Sequence, residues 1–132
     1  MNDTELRERY MDYVAAINAR ELDRMHDFVA ESVVVNGQRG TVADVLAGLN
    51  DSIDAVPDLE WEVTELSIDG DRVGVRALNR GTPAKEWLGV APTGKGFEVT
   101  EFAIYRMSEG RFVEMTYLHD SADLRRQLEA GA

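Results

Sequence analysis

Apolar residues along this chain follow a helical rhythm at first and a strand rhythm later. Leu6, Tyr10, Tyr13, Val14 and Ile17 fall on one side of a helical wheel and predict a helix from about Thr4 to Ala19. A second, shorter helix is expected over Glu21 to Val29, presenting Leu22, Met25 and Val29. Val33-Val34-Val35 reads as a short strand, ended by the turn pair Asn36-Gly37. Thr41 with Asp44 three residues on has the form of a capping box. It opens a third helix with Val42, Val45, Leu46, Leu49 and Ile53 on one side, and Pro57 closes that segment.

Beyond Pro57 the pattern alternates. Trp61 to Ile68 and Arg72 to Arg80 read as strands joined across the hairpin turn Asp69-Gly70. Gly81, Pro83, Gly89, Pro92, Gly94 and Gly96 then crowd a segment too rich in breakers to form an element. Phe97 to Met107 and Phe112 to His119 make a second hairpin across Glu109-Gly110, and Ser121 to Leu128 returns to helix. Helices followed by a meander of antiparallel strands predict an α+β fold in one domain, residues 1–132.

The second hairpin carries the candidate chemistry. A two-residue turn at Glu109-Gly110 sets Met107 opposite Phe112, Tyr105 opposite Glu114 and Ala103 opposite Thr116. Regular alternation then puts Glu101, Tyr105, Glu114, Thr116, Leu118 and Asp120 on one face, and Phe102, Ile104, Arg106, Met115, Tyr117 and His119 on the other. Both faces carry large apolar groups while the helices can cover only one, so a homodimer is expected through the other. The face with the acids is the expected pocket side, because carboxylates inside a dimer seam would need partners.

Charge narrows the partners. A formal net charge of -11 disfavours nucleic acid and anionic membrane, both of which would repel such a surface. There is no cysteine, which removes disulfides and thiolate chemistry. The opening residues lack the basic start and apolar run of a signal peptide, and no apolar stretch approaches the roughly 20 residues of a membrane span; a cytoplasmic protein is expected.

Two motifs fall away on inspection. Gly89-Val90-Ala91-Pro92-Thr93-Gly94-Lys95 begins like a phosphate-binding loop, but Gly96 replaces the hydroxyl residue that would hold magnesium, and a strand follows where a helix is required. His26 and His119 belong to no cluster with metal-ligand spacing, so neither a metal nor a cofactor is expected. What remains is acid–base chemistry by carboxylates. Asp120 ends the last strand in phase with Glu114 and Tyr105, where partial desolvation would suit a general acid/base. Equally, Asp120 precedes a helix with Asp123 three residues on and could be its N-cap. Glu114 and Glu101 could be pocket acids or partners for Arg76, Arg80 and Arg106.

The same stretches resemble a known family. Gly81-Thr82-Pro83 with Glu86-Trp87-Leu88-Gly89-Val90-Ala91-Pro92-Thr93-Gly94-Lys95 is similar to the glycine- and proline-rich loop of SnoaL-like polyketide cyclases. Tyr105-Arg106 with Glu109-Gly110-Arg111-Phe112-Val113-Glu114 resembles that family's hairpin, and Asp120 with Leu124, Gln127 and Leu128 resembles its closing helix. The resemblance implies a nuclear-transport-factor-like cone, an α+β barrel with N-terminal helices packed in the concave face of a curved, mostly antiparallel sheet. It also implies a cofactor-free aldol closure on a small, carbonyl-rich hydrophobic substrate, with the aspartate at Asp120 as acid/base. Tyr105, Glu114, Glu101, Asn36, Trp87 and Thr116 would contact that substrate. Two positions depart from the pattern: Pro83 stands at the family's loop histidine and Thr116 at its usual tryptophan. Related members hydroxylate, isomerise or have no known catalysis, so a non-catalytic small-molecule-binding protein is the alternative.

Overall fold

The computed structural model describes residues 1–129. Helix α1 (Asp3–Asn18) starts where Asn2 accepts the Glu5 amide at 2.8 Å while the Glu5 carboxylate accepts the Asn2 amide at 3.1 Å. All five residues of the expected stripe, Leu6, Tyr10, Tyr13, Val14 and Ile17, are buried. The expected second helix is shorter than its pattern: a 3₁₀ turn at Leu22–Arg24 leads into the single turn α2 (Met25–Phe28), and Val29 already begins strand β1 (Val29–Val35). A strand that the alternation did not announce, β2 (Gln38–Thr41), pairs back on β1 across Asn36-Gly37. Both turn residues have positive φ, the geometry a two-residue hairpin needs. Helix α3 (Val42–Ala55) opens on the Thr41/Asp44 capping box and ends two residues before Pro57.

Strands β3 (Glu60–Asp69), β4 (Arg72–Gly81), β5 (Phe97–Ser108) and β6 (Arg111–His119) form the antiparallel meander, and α4 (Ser121–Glu129) closes the chain. The six strands lie in the order β2-β1-β6-β5-β4-β3, in one curved, unclosed sheet. The sheet is mostly antiparallel, as expected; the exception, which the strand pattern does not specify, is β1, running parallel to β6. That pairing joins the first strand to the last, and local periodicity carries no trace of so distant a partner.

The largest correction lies in the second hairpin. Met107 opposes Phe112 as expected, but Val113 is an extra residue, so Arg106 meets Glu114, Tyr105 meets Met115, Ala103 meets Tyr117 and Glu101 meets His119. A bulge reverses the facing of every residue that follows it. Glu114, Thr116 and Leu118 therefore lie on the outer face with Phe102 and Ile104, while Met115, Tyr117 and His119 turn inward with Glu101 and Tyr105.

Two apolar clusters result. The main core gathers α1, α2 and the concave faces of the strands around Tyr10, Tyr13, Phe28, Tyr105 and Phe112. A smaller one places Val56, Leu59, Trp87, Val90, Phe97, Leu124 and Leu128 beneath α4 and the loop after β4. Trp61 packs against both. The loop is less irregular than its breakers suggest: Trp87 and Val90 exchange two backbone hydrogen bonds of 3.0 Å around Leu88-Gly89, both at positive φ, and Trp87 stacks on Phe97 at 4.9 Å.

Gly81 sits where β4 passes the end of α3. A Cβ there would collide with Val56 Cγ1 and lie 3.3 Å from Leu59 Cα, against a side chain that is fully buried. Gly81→Ala is expected to cost about 1–3 kcal/mol by overpacking. A lowered urea midpoint with unchanged slope would register it; an unchanged midpoint would mean that Val56 has room to move.

A candidate acid–base site in an aromatic cavity

Between the two clusters lies a cavity of about 170 Å³. Tyr13 of α1, Val45 and Leu49 of α3, Trp61 of β3, Trp87 of the loop, and Tyr105, Met115 and Tyr117 of the second hairpin give it aromatic and aliphatic walls. Its polar end is made by Asn79 of β4, Glu101 of β5 and His119 of β6. Asp44 and Ser52 of α3 also line it, and the Asp44 carboxylate caps its own helix by accepting the Thr41 amide at 2.9 Å.

Trp61 is fixed by a reciprocal clamp: Asn18 at the end of α1 donates to the Trp61 carbonyl at 2.8 Å and accepts its amide at 2.9 Å. Arg20, in a left-handed backbone conformation just past α1, donates to the carbonyls of Pro57 and Leu59 at 2.8 and 2.7 Å. These bonds tie the loop between α3 and β3 to the helix that fills the cone.

Alternation puts Val73, Val75, Ala77 and Asn79 of β4 on the inner face, and Asn79 is the polar exception in that row. Its amide nitrogen donates to Glu101 Oε2 at 2.8 Å and lies 3.0 Å from His119 Nε2. The carboxylate and the imidazole stand 3.9 Å apart. Glu101 is 8% exposed, and Asn79 at 2% is buried more deeply still. Burying a carboxylate is costly unless hydrogen bonds satisfy it, and here the bonding comes from a neutral amide. The arginines considered as its partners are committed to the outer face: Arg80 to Glu60, Glu62 and Glu98, Arg106 to Glu114 and Asp71, and Arg76 to Glu65.

Of the residues expected at the site, Glu101, Tyr105 and Trp87 line the cavity. The others lie elsewhere. Glu114 pairs with Arg106 at 3.3 Å on the outer face, and Thr116 is exposed there, both displaced by the bulge at Val113. Asn36 is exposed at the β1–β2 turn, where its side chain accepts the Tyr117 amide at 2.9 Å and so holds a neighbour of the cavity. Asp120 is exposed at the N-terminus of α4; its Oδ1 accepts the Asp123 amide at 3.0 Å and its carbonyl accepts that of Leu124. Asp120 fits the N-cap alternative, outside the cavity. The site residues missed were Asn79, Tyr117 and His119. Asn79 could have been found as the one polar residue in the inward series of β4, whereas the other two were hidden by the bulge.

All four tyrosines titrate upward of the ordinary phenol. Burial is the main cause for each; the Glu101 charge adds to all four, and neighbouring phenols add to it at Tyr13 and Tyr105. Tyr13, Tyr105 and Tyr117, which line the cavity, therefore keep neutral hydroxyls, and those of Tyr13 and Tyr105 are hydrogen-bonded to each other. Unfolded tyrosine ionises at about pH 10, so above that pH the unfolded chain loses protons that the folded one keeps. Their contribution is complete below about pH 10 and is lost as pH rises toward the raised native values. Native protein at about pH 10.5 is expected to show little phenolate absorbance, with phenolate appearing together with unfolding as the pH is raised. Several tyrosines ionising reversibly in the folded protein near pH 10 would contradict the burial described here.

Among the described residues no group of three or more His, Asp or Glu side chains is arranged to hold a metal ion, and no helix is long and apolar enough to cross a membrane. No curated protein sequence matches the chain. Solved structures do. A SnoaL-like polyketide cyclase from Agrobacterium tumefaciens is 23% identical, with a TM-score of 0.88 over 93% of this chain and 97% of its own. IdmH from Streptomyces antibioticus is 25% identical, with a TM-score of 0.85 over 94% and 98%. TsrD from Streptomyces laurentii is 20% identical, with a TM-score of 0.90 over 98% of both chains. The family model described as SnoaL-like polyketide cyclase matches residues 7–128, nearly the whole chain, and the protein belongs to that family.

Proposed function

We propose that the protein is a cofactor-independent, cyclase-type acid–base enzyme acting on a small, hydrophobic, enolisable carbonyl compound, with Glu101 as the proton-transfer group. The observation that carries this reading is a buried carboxylate at the polar end of an aromatic cavity, hydrogen-bonded by an amide and paired with no arginine. A carboxylate so placed can take a proton from the carbon beside a carbonyl. The enolate oxygen is met by the neutral hydroxyls lining the cavity. The carbanion carbon then bonds to a second carbonyl carbon of the same molecule, and the resulting alkoxide recovers the proton from Glu101. The scheme balances with no outside acid, base or cofactor.

Cavity size bounds the substrate. A cavity of roughly 150 Å³ holds one benzene ring, and drug-sized ligands need roughly 300–1,000 Å³. At about 170 Å³ this one suits a single ring with a short functional arm. The aromatic walls favour a flat ring, and Asn79, Glu101 and His119, within 4 Å of one another, would meet one end of it.

The test is deuterium uptake from D₂O into single-ring 1,3-diketones, followed by mass spectrometry. Wild-type protein is expected to accelerate exchange at the carbon between the carbonyls, and Glu101→Gln to lower that rate about 10²–10⁴-fold. Asp120→Asn, which keeps an N-cap acceptor for the Asp123 amide, is expected to leave it within about twofold and stability nearly unchanged. Undiminished exchange in Glu101→Gln would remove Glu101 from the chemistry. Tight binding of the probes with no exchange in wild type would favour the binding-protein alternative.

We also propose that the outer face of the sheet seats a second copy of the chain. Phe102, Ile104 and Leu118 are 59%, 55% and 74% exposed there, bordering a shallow groove floored by Gly74. Glu65 and Arg76 at the same groove are already paired with each other at 3.8 Å, so a second copy seated there meets a charge pair and not a lone charge. Sedimentation velocity is expected to show a dimer that Ile104→Glu with Leu118→Glu converts to a folded monomer; a monomeric wild type at about 50 μM would refute the arrangement.

A further inference from the structure

Asn79 has a feature that ordinary packing does not explain. Its carbonyl oxygen Oδ1 is the one buried side-chain oxygen or nitrogen without a hydrogen-bond partner among the described residues. A buried orphan of this kind costs free energy, and an apolar residue at position 79 would continue the row set by Val73, Val75 and Ala77 at no such cost. The amide nitrogen, in contrast, is fully used. Its two hydrogens point to Glu101 Oε2 at 2.8 Å and His119 Nε2 at 3.0 Å.

This orientation constrains both neighbours. An N–H donor facing Glu101 needs an acceptor oxygen, which an ionised carboxylate offers at both positions, and one facing His119 needs a bare ring nitrogen. With Nε2 bare, a neutral His119 carries its hydrogen on Nδ1. The amide turned over would set its carbonyl oxygen against the carboxylate and leave the bare Nε2 without a donor. The orphaned Oδ1 is therefore what the fold gives up to offer two donors at once.

The groups around His119 single out Glu101. Tyr117 lies two residues back on the same strand with its ring centroid 6.4 Å away. Tyr13 from α1 and Asp44 from α3 line the same cavity, and the Asp44 carboxylate is held in its capping box. Asp120, next in the chain, caps α4. Glu101 from β5, with Oε2 at 3.9 Å from Nε2, is the carboxylate within ion-pair reach.

Resting on the reading of Glu101 as the proton-transfer group, we propose that Asn79 is a positioning residue that keeps Glu101 and His119 apart. By donating to both it holds His119 as the neutral Nδ1–H tautomer, stops the pair from closing into a direct ion pair, and leaves the carboxylate available to take a proton. Without the amide, a proton on Nε2 would bridge to Oε2, and a base tied to a cation is a poorer base.

The chain has two histidines, and His26 is exposed on α2, so ¹⁵N-histidine labelling gives one site resonance and an internal reference. In wild-type protein at about pH 8, long-range ¹H–¹⁵N spectra are expected to show His119 Nε2 unprotonated and the hydrogen on Nδ1. In Asn79→Leu, close to the same shape, Nε2 is expected to become protonated while His26 stays unchanged. A wild-type Nε2–H, or an unaltered His119 spectrum in folded Asn79→Leu, would overturn the inference. Asn79→Ser, whose single hydroxyl can donate to only one neighbour, replaces the leucine variant if that does not fold. The tautomer is read without turnover, so the two proposals fail separately. Undiminished exchange in Glu101→Gln removes the base and leaves the Asn79 geometry intact, whereas the wrong tautomer removes the Asn79 role and leaves Glu101 in place.

Discussion

One extra residue in β6 decides what this cavity contains. With Val113 bulged against β5, the strand changes phase, and Met115, Tyr117 and His119 face the cone instead of the outside. Had the strand stayed regular, Glu114, Thr116 and Leu118 would line the interior, and Glu101 would have no imidazole beside it. A bulge also sharpens local twist, which suits a sheet that must wrap around α1. The same irregularity thus supplies curvature and chemistry together.

The cavity exists because the apolar interior is divided. The main core fills the space between α1 and the strands, the smaller cluster seals the end beneath α4, and Trp61 spans the two. The Asn18 clamp and the Arg20 bonds hold Trp61 and the neighbouring loop in place with backbone contacts that do not depend on what occupies the cavity. Rigid walls around a small set of convergent polar groups are what a preorganised site needs.

Much of this was legible in the residues. The α1 stripe, the Thr41/Asp44 capping box and the turns at Asn36-Gly37 and Glu109-Gly110 are local signals, and local physics produces them; the turn expected at Asp69-Gly70 falls one residue later, at Gly70-Asp71, because Asp69 pairs with Arg72. Glu101 and Tyr105 were placed on the inner face because β5 is regular from end to end. What failed were features fixed by distant partners. A bulge is a compromise between two strands, and Val113 in isolation looks like any strand valine. The parallel contact of β1 with β6 joins segments some eighty residues apart, and the shortness of α2 reflects Val29 being drawn into that contact. Asp120 shows the opposite limit: one residue type in one context satisfied two local readings, and the fold displays the cap bond to the Asp123 amide at 3.0 Å.

The sheet order has a consequence for how the chain is made. β1 leaves the ribosome early, yet its place beside β6 exists only when β6 has been synthesised some eighty residues later. Until then the apolar stripe of α1 and the inner side of β1 have no concave surface to cover them. Domains dominated by such long-range pairings fold slowly, since loop-closure entropy must be met before the contacts form. The interval between emergence of β1 and arrival of β6 is when the nascent chain is most open to aggregation, and a helper protein would have its opportunity there.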